Sequence, residues 1–395
     1  MYKKYAISEI GEIVSGATPK TSIATNFGGE IPWLTPADLS GYNEKYISHG
    51  ARNLTRQGYN SCSAQLMPPG TVLLSSRAPI GYVAIAKNEI CTNQGFKSIV
   101  PQKCVDSEFL YYQLKYLKRV LQDLGSGTTF KELSAKKLGT VQVVVPSIEE
   151  QRSIVAKIEE LFSKLDASVA ELQTAKEKLK VYRQAVLKAV FKDVTQKGLV
   201  EISEIVEDIR IGPFGTMLHK ADYIYGGIPV INPQHIKNLS VTPSEKVTVS
   251  QEKSTELASY QLKENDVIMG RRGEMGRVAA ISKAEAGWIC GTGSIFFRLK
   301  PEYDAVFYSQ ILSSLDTVHY LEDHATGTTM KNLNEDIVKH IPVPKITKQM
   351  QKEMVSKSEE KTSMCDSIEQ TIDTSLQQAE ALRQSILKQA FEGRL

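Results

Sequence analysis

The chain has 395 residues, enough for two or three domains, and its formal net charge is only +3. Hydrophobic residues make up 41% of the chain and charged residues 24%, which is typical of a soluble globular protein. No apolar run approaches the roughly 18 residues of a membrane-spanning helix, which argues against a helical membrane protein. The N-terminus also lacks the apolar core and the cleavage site of a signal peptide.

Cysteine usage and charge distribution narrow the class further. The five cysteines are scattered without a C-x-x-C pair, which predicts reduced thiols in a cytoplasmic protein and argues against structural zinc. Residues 1–147 hold 16 Lys and Arg against 10 Asp and Glu, whereas residues 193–344 hold 15 against 20. The basic first part suits a polyanion such as nucleic acid. Nucleic-acid binding by the acidic second part would need a local basic patch.

The first part of the chain combines β and α signals. Short apolar runs bounded by Gly and Pro predict strands within 70–76, 81–86, 97–101 and 141–146. The amphipathic segment 107–125 predicts one helix that ends at Gly125. This part is therefore expected to be a mixed α/β domain.

A long helix is predicted to follow. Ser147 and Glu150 match an S-x-x-E capping box, and neither Gly nor Pro occurs from 151 to 193. A helix of about 42 residues would be roughly 63 Å long. Its apolar positions recur in steps of three and four, which is typical of a coiled-coil seam: Ile154, Ile158, Leu161, Leu165, Val169, Leu172, Ala175, Leu179, Tyr182, Val186 and Ala189.

The second half of the chain repeats the first. Five segments recur in order at an offset between about 195 and 200 residues, which indicates duplication of the whole half. The pairs are SEIGEIVSG and SEIVEDIRIG, GGEIPWLTPADL and GGIPVINPQHI, GTVLLSSRAPIGYVAIA and NDVIMGRRGEMGRVAAI, VVVPSIEEQ and IPVPKITKQ, and YRQAVLKAVFKD and LRQSILKQAFEG. The loop GSGTTFKEL likewise returns as ATGTTMKNL.

The duplication predicts a second domain and a second long helix. The second seam is weaker in its middle, because Ser358 and Lys361 stand where apolar residues are expected. Burying both seams would pair the helices antiparallel and place two similar domains at the ends of a dumbbell with approximate twofold symmetry. Each domain could then reach one DNA groove, since major grooves on one face recur about every 34 Å.

Motifs of catalysis are not found. The sequence lacks a phosphate-binding loop, a dinucleotide fingerprint and a nucleophile elbow. The segment INPQ, 231–234, begins like the motif of amino-methylating enzymes but lacks its second proline and its aromatic residue. Two histidines in 319–324 fit a polar helix end better than a metal site. We therefore expect no catalytic residue, no cofactor and no metal.

Basic residues in repeated loops are the candidate DNA ligands. Arg77 aligns with Arg272, which follows Arg271, and each stands in a Gly- or Pro-containing loop after a predicted strand. Arginine is the commonest bidentate reader of guanine and a strong phosphate ligand. A solvated loop arginine is the alternative interpretation.

Two further sets of polar residues are candidates. The repeated Gly-Thr-Thr-x-Lys loop offers hydroxyl, backbone N–H and ammonium groups, which suits either a phosphate or a turn held by threonine hydroxyls. Asn93 and Gln94 are of types that pair with adenine edges, but the repeat keeps neither side chain, as expected of a specificity position or of drift. The loop residues concerned are Thr128, Thr129, Lys131, Thr328, Thr329 and Lys331.

On these segments the chain resembles the specificity subunit of type I restriction–modification systems over essentially its whole length. The resemblance rests on GGEIPWLTPADL, on SGTTFKELSAKKLGTVQVVVPSIEEQRSIVAKIEEL, on YRQAVLKAVFKD and on their half-length repeats. It implies an α+β fold, in which two similar target-recognition domains are joined by two long antiparallel coiled-coil helices with pseudo-twofold symmetry. The domains would read the halves of a bipartite double-stranded DNA site.

The resemblance also implies partners and boundaries. The helices would set the spacer and bind two methyltransferase subunits; two ATP-dependent restriction subunits can join, and the specificity subunit itself is not catalytic. We expect target-recognition domains at 1–146 and 194–344, and helical spacer regions at 147–193 and 345–395. The main alternative is a tandem-domain protein-interaction scaffold without DNA readout, which the acidic second part favours. A self-sufficient DNA methyltransferase would need an S-adenosylmethionine site, which we do not find.

Overall fold

The computed structural model of the chain describes residues 2–127, 131–195, 198–327 and 331–395. By contact density it divides into two units. The first consists of Met1–Leu172 with Thr374–Leu395, and the second of Gln173–Asp373. Each unit therefore combines a globular domain with parts of two long helices.

The first unit is built on a five-stranded sheet. Its strands are β1 (Lys4–Ala6), β2 (Gly11–Ser15), β3 (Phe27–Ile31), β4 (Trp33–Leu34), β5 (Tyr46–Ile47), β6 (Val72–Leu74), β7 (Val83–Ala86), β8 (Cys91–Thr92), β9 (Lys97–Pro101) and β10 (Gln142–Val144). Its helices are α1 (Ile7–Ile10), α2 (Arg56–Asn60), α3 (Ser107–Tyr116), α4 (Lys118–Leu124) and α5 (Ala135–Gly139), followed by the long α6 (Ile148–Thr195). The main sheet has the order β2-β9-β6-β7-β5, while β4 pairs with β8 and β1 with β10.

The second unit repeats this plan. Its strands are β11 (Leu199–Glu201), β12 (Val206–Ile211), β13 (Ile228–Ile231), β14 (Ile236–Lys237), β15 (Ser240–Val241), β16 (Thr248–Val249), β17 (Asp266–Gly270), β18 (Val278–Ala280), β19 (Ile289–Cys290), β20 (Ser294–Leu299) and β21 (Pro342–Pro344). Its helices are α7 (Gln251–Glu256), α8 (Ala305–Leu312), α9 (Leu315–His324), α10 (Glu335–Lys339) and the long α11 (Lys348–Phe391). The order β12-β20-β17-β18 matches β2-β9-β6-β7, β13-β19 matches β4-β8, and β11-β21 matches β1-β10.

Each hydrophobic core joins the sheet to a domain helix and to the long helices. In the first unit Phe109 of α3 contacts Phe391 of α11, with ring centroids 5.3 Å apart. In the second unit Phe307 of α8 contacts Phe191 of α6 at 5.7 Å. The two repeated segments that end the long helices thus supply equivalent aromatic contacts, which stabilise the helix ends against the domains.

A buried glutamine connects each long helix to its domain. Gln151 accepts a hydrogen bond from the N–H of Asp106 at 2.8 Å and donates to the carbonyls of Cys104 and Pro146. Gln351 accepts from the N–H of Asp304 at 2.7 Å. Both glutamines are fully buried. The two glutamines stand at equivalent places 200 residues apart, at the ends of PSIEEQ and ITKQMQ, and each satisfies a backbone group at the start of α3 or α8.

The long helices run antiparallel within each unit. In the first unit Arg383 of α11 forms an ion pair with Asp166 of α6. In the second unit Lys176 pairs with Asp373 at 2.5 Å and Arg183 with Asp366 at 2.5 Å. The partner number falls as the residue number rises, which confirms the predicted direction of pairing in that unit.

The long helices depart from their predicted seams in two places. Tyr182 is 59% exposed, whereas Leu187 and Phe191 are buried against the second domain. A strict seven-residue stripe drifts about 20° per heptad around a straight helix, so four heptads after Ile154 it no longer faces the packed side. In the other helix Ser358 is fully buried, and its hydroxyl donates to the Oε1 of Gln310 at 2.6 Å.

The remaining elements agree with the sequence in part. The four predicted strand segments contain β6, β7, β9 and β10. The helix predicted over 107–125 is interrupted at Leu117, where ψ is 4°, and it ends before Gly125 as expected. The five cysteines are all free thiols. Within the described ranges, no helix combines the length and apolarity that crossing a membrane requires.

Candidate nucleic-acid interface

Two loops that are distant in the sequence lie side by side in the first unit. Ser126 and Glu132 exchange backbone hydrogen bonds of 3.0 and 2.9 Å, and the N–H of Leu133 donates to the carbonyl of Ser76 at 2.8 Å. The backbones of Arg77 and Glu132 form an antiparallel β-bridge in the same pairing. We call residues 75–78 together with 125–127 and 131–133 the first loop pair. It brings Arg77 next to the repeated loop that contains Lys131.

The second unit forms the same arrangement. Thr326 and Asn332 exchange backbone hydrogen bonds of 3.1 and 2.8 Å, and the N–H of Leu333 donates to the carbonyl of Arg271 at 2.9 Å. Arg272 is bridged to Asn332. Residues 270–273 with 325–327 and 331–333 form the second loop pair. The recurrence of both motifs therefore reflects one composite surface in each unit.

The first loop pair contains an acid between two cations. The Oε2 of Glu132 is 3.6 Å from the Nη1 of Arg77, and its Oε1 is 3.7 Å from the Nζ of Lys97. The Lys97 side chain is only 11% exposed, whereas that of Arg77 is 37% exposed. Arg77 can therefore contact a ligand at the surface, whereas Lys97 contacts Glu132 from the protein interior.

The second loop pair has an amide at the equivalent position. The Oδ1 of Asn332 accepts from the Nη1 of Arg271 at 2.8 Å and from the Nε of Arg272 at 3.4 Å. Arg271 also donates through Nε to the carbonyl of Thr292 and is buried. Burial, and next the charge of Arg272, lower the pKa of the Arg271 guanidinium. The structure thus gives Arg271 an internal role and leaves Arg272 at the surface.

The repeated lysines are exposed at the edges of the loop pairs. Lys331 donates to the carbonyl of Glu322 at 3.1 Å, near the end of α9. Within the described ranges, no hydrogen bond or ion pair engages the ammonium group of Lys131. Both ammonium groups are therefore accessible to an anion from solvent. Thr128, Thr129, Thr328 and Thr329 lie outside the described residues.

Asn93 and Gln94 stand in the turn that enters β9, beside the first loop pair. The N–H of Ser76 donates to the carbonyl of Gly95 at 2.7 Å, which ties this turn to the loop pair. The Oδ1 of Asn93 accepts from the N–H of Gly95 at 2.8 Å, so half of its amide is used inside the turn. Gln94 is exposed and accepts a hydrogen bond from the hydroxyl of Thr18.

The local charge of the second loop pair differs from that of its domain. The charged residues within it are Arg271, Arg272 and Lys331; Glu274 after it is paired with Arg277 at 2.6 Å, and the exposed carboxylates of Glu322 and Asp323 precede its second segment. Nucleic-acid binding by the acidic domain would require a local group of basic residues of this kind.

Sequence reasoning missed three residues of this surface: Lys97, Glu132 and Asn332. Glu132 and Asn332 stand next to the repeated lysines, but their contacts depend on pairing with loops more than 50 residues away. Lys97 lies within a predicted strand, where a lysine gives no sign that it points towards a loop. Alignment of GTTFKEL with GTTMKNL does show the acid-to-amide difference, which was the available signal.

Comparison with known proteins places the chain in a family. A family model described as the type I restriction modification DNA specificity domain matches residues 1–177 and again residues 196–378. The chain belongs to this family. Its specificity subunits are non-catalytic, recognise DNA targets and act in type I restriction–modification complexes with methyltransferase subunits. A scaffold without DNA readout is accordingly not favoured.

Relatives of the DNA specificity family match over different lengths. The type I restriction enzyme MjaIX specificity subunit of Methanocaldococcus jannaschii is 50% identical over 150 residues, which cover 38% of this chain and 35% of the relative. The EcoBI specificity subunit of Escherichia coli is 25% identical over 338 residues, or 79% of this chain and 69% of the relative. The match therefore spans about a third of the first relative and about two thirds of the second.

A solved structure shares the fold. It comes from work on complex assembly and conformational transition of the type I restriction–modification system, and it covers 100% of this chain and 98% of its own. The TM-score is 0.66 at 16% sequence identity. At that identity the likeness concerns the fold of this specificity-family chain and says nothing of individual DNA-contacting residues.

Proposed function

We propose that this chain is the sequence-specific recognition subunit of a type I restriction–modification complex and reads a bipartite, asymmetric site on double-stranded DNA. The observation that carries the proposal is the occurrence of one composite surface in both units, with an arginine whose side chain reaches the surface beside an exposed lysine. Because the two surfaces differ in sequence, the two half-sites differ as well.

The side chains divide into two roles. Arg77 and Arg272 read base edges, because a guanidinium held on one side by a loop acceptor keeps donors free for a bidentate contact with guanine. Lys131 and Lys331 hold backbone phosphates, since an ammonium group on a flexible stem neutralises charge without specifying a base. Arg271 supports Arg272 from below.

Further candidate ligands extend both surfaces. Gln94 and the free part of the Asn93 amide face the first half-site, where they can pair with adenine. The hydroxyls of the repeated loop add phosphate contacts in both domains; they belong to Thr128, Thr129, Thr328 and Thr329. No cofactor or metal takes part in this recognition.

The proposal includes the organisation of the complex. Residues 1–146 and 194–344 act as target-recognition domains, and 147–193 and 345–395 as helical regions that set the spacer. Two methyltransferase subunits bind the helical regions, and two ATP-dependent restriction subunits can join them. The complex works in the cytoplasm.

The test is to co-express the full chain with its methyltransferase subunits and to map methylated adenines across a genome by single-molecule sequencing. We expect a split motif with two short defined halves and a fixed gap. A stable complex that produces no motif would overturn the proposal and favour the scaffold. Methylation by the chain alone would instead support the self-sufficient methyltransferase.

A further inference from the structure

We infer that Glu132 and Asn332 are equivalent positioning residues, which orient the base-reading arginine of each loop pair and give the two readers unequal attraction for DNA phosphates. This inference rests on the proposed function and goes beyond it by assigning a role to an acid inside a DNA-facing surface. Neither residue carries positive charge, and Glu132 would repel phosphate if it acted alone. Their importance lies in the cations that they hold.

The backbone register establishes the equivalence. Glu132 is bridged to Arg77 and Ser126, and Asn332 is bridged to Arg272 and Thr326. In both units the residue after the bridge, a fully buried leucine, donates its N–H to the residue before the arginine. The side chains of Glu132 and Asn332 therefore leave matching backbone positions on matching loops.

Each acceptor also contacts one buried cation, but the two units supply it from different elements: Lys97 begins β9, whereas Arg271 directly follows β17. In the sheet register, the pair Ser75 and Phe96 corresponds to the pair Gly270 and Ser294. One residue further along each strand, Lys97 therefore corresponds to Ile295. On the partner strand, Ser76 corresponds to Arg271, the residue before the outer arginine in each unit.

The first unit combines small Ser76 with the cation Lys97, and the second combines the cation Arg271 with apolar Ile295. Both units therefore have a buried cation, an acceptor and an outer arginine, although different residue types supply the cation and the acceptor. Such an exchange is expected where the arrangement itself is required, because a buried cation without an acceptor is costly.

The acceptors differ in charge, which has a functional consequence. The carboxylate of Glu132 lies within 3.7 Å of both Arg77 and Lys97 and neutralises one of them. The carboxamide of Asn332 orients Arg271 and Arg272 without neutralising either. Among the acceptor and the two cations that it contacts, the second loop pair therefore carries one more uncompensated positive charge than the first. The first reader depends more on base contacts, and the second depends more on phosphate contacts.

The decisive experiment exchanges charge at the two positions with little change of shape. Glu132→Gln and Asn332→Asp are each prepared in the full chain, in complex with methyltransferase subunits. Affinity is measured on duplexes with the cognate site and with a mismatch in either half, at salt concentrations from 50 to 200 mM. One phosphate contact contributes a slope of about 0.9 to the plot of log affinity against log salt concentration. Across this salt range, the loss of affinity in each variant should therefore differ from that of the parent chain by roughly threefold.

The two variants should move in opposite directions. Glu132→Gln should steepen the salt dependence, tighten binding to every sequence and reduce discrimination at the first half-site only. Asn332→Asp should flatten the salt dependence and weaken binding to every sequence, with discrimination kept at both half-sites. Glu132→Asp keeps the negative charge, so its salt dependence should equal that of the parent chain.

Matched controls separate this role from overall charge. Glu89→Gln changes net charge as Glu132→Gln does, at an exposed position at the other end of β7. Gln251→Glu matches Asn332→Asp, at an exposed position on α7. Equal effects of each variant and its control would overturn the inference, and so would shifts of the same sign at 132 and 332. A parent complex without preference for any split site would instead refute the proposed function.

Discussion

At the scale of single residues, the exposed arginine and lysine of each loop pair should fail in different ways. If Lys131 holds a phosphate as proposed, Lys131→Ala should lower affinity equally for all sequences and decrease the salt slope by about 0.9. Arg77→Ala should relax preference at the first half-site by about 1–3 kcal/mol, because a bidentate base contact is lost. Titrations of cognate and half-site-mismatched duplexes at several salt concentrations measure both effects.

An exposed lysine outside the loop pairs serves as the control. Lys87→Ala removes the same charge at the other end of β7 and should leave both the salt slope and the base preference nearly unchanged. An unchanged salt slope in Lys131→Ala would contradict its phosphate role. Uniform loss of affinity in Arg77→Ala, without relaxed preference, would contradict base reading.

The sequence predicted the arginines and loop lysines of this surface better than the residues that pair with them. Arg77 and Lys131 stand in loops that recur 195 to 200 residues later, and a local comparison is enough to find them. That the two loops are neighbours, and that Glu132 lies between Arg77 and Lys97, follows from strand register over long separations. Such register is set by tertiary packing, which no short pattern in this sequence records.

At the scale of elements, the buried glutamines should be essential to the attachment of the long helices. Gln351→Ala leaves the N–H of Asp304 and the carbonyl of Ile346 without their partner in a buried site. We expect a loss of unfolding free energy of about 1–3 kcal/mol. Gln349→Ala, two residues earlier on the same helix and exposed, is the matched control. Denaturant unfolding measures both variants, and equal stability of the two would contradict this role.

The long helices show how far periodicity predicts packing. It identified both helices and their buried stripe near Ile154 and Ile158, but it placed Tyr182 in the seam although Tyr182 is exposed. The helix changes its packing partners along its length: its start packs in the core of the first domain and its end in the core of the second domain. The break at Leu117 was missed for a different reason, since neither glycine nor proline marks it.

At the scale of the whole molecule, duplication produced two domains that share an architecture and whose loop pairs differ in charge. The strand order of the main sheet, the buried glutamine and the aromatic contact at the helix end recur in both units. In the loop pairs the outer arginine and the lysine recur, whereas the acceptor, Glu132 or Asn332, and the buried cation do not. The parts that maintain the fold are therefore kept, while the groups that hold the outer arginine vary, as expected if the two domains read different half-sites.

This division predicts how substitutions combine. Arg77 and Arg272 lie in different units and have no partner in common among the described contacts, so the losses of binding free energy in Arg77→Ala and Arg272→Ala should add within about 0.5 kcal/mol. Arg77→Ala and Glu132→Gln affect one loop pair and should show a coupling energy of about 0.5–3 kcal/mol. Both double-mutant cycles can be measured by titration of the cognate duplex with the methyltransferase-bound chain. Strong coupling between the arginines together with additivity inside the loop pair would show that the two units do not read DNA independently.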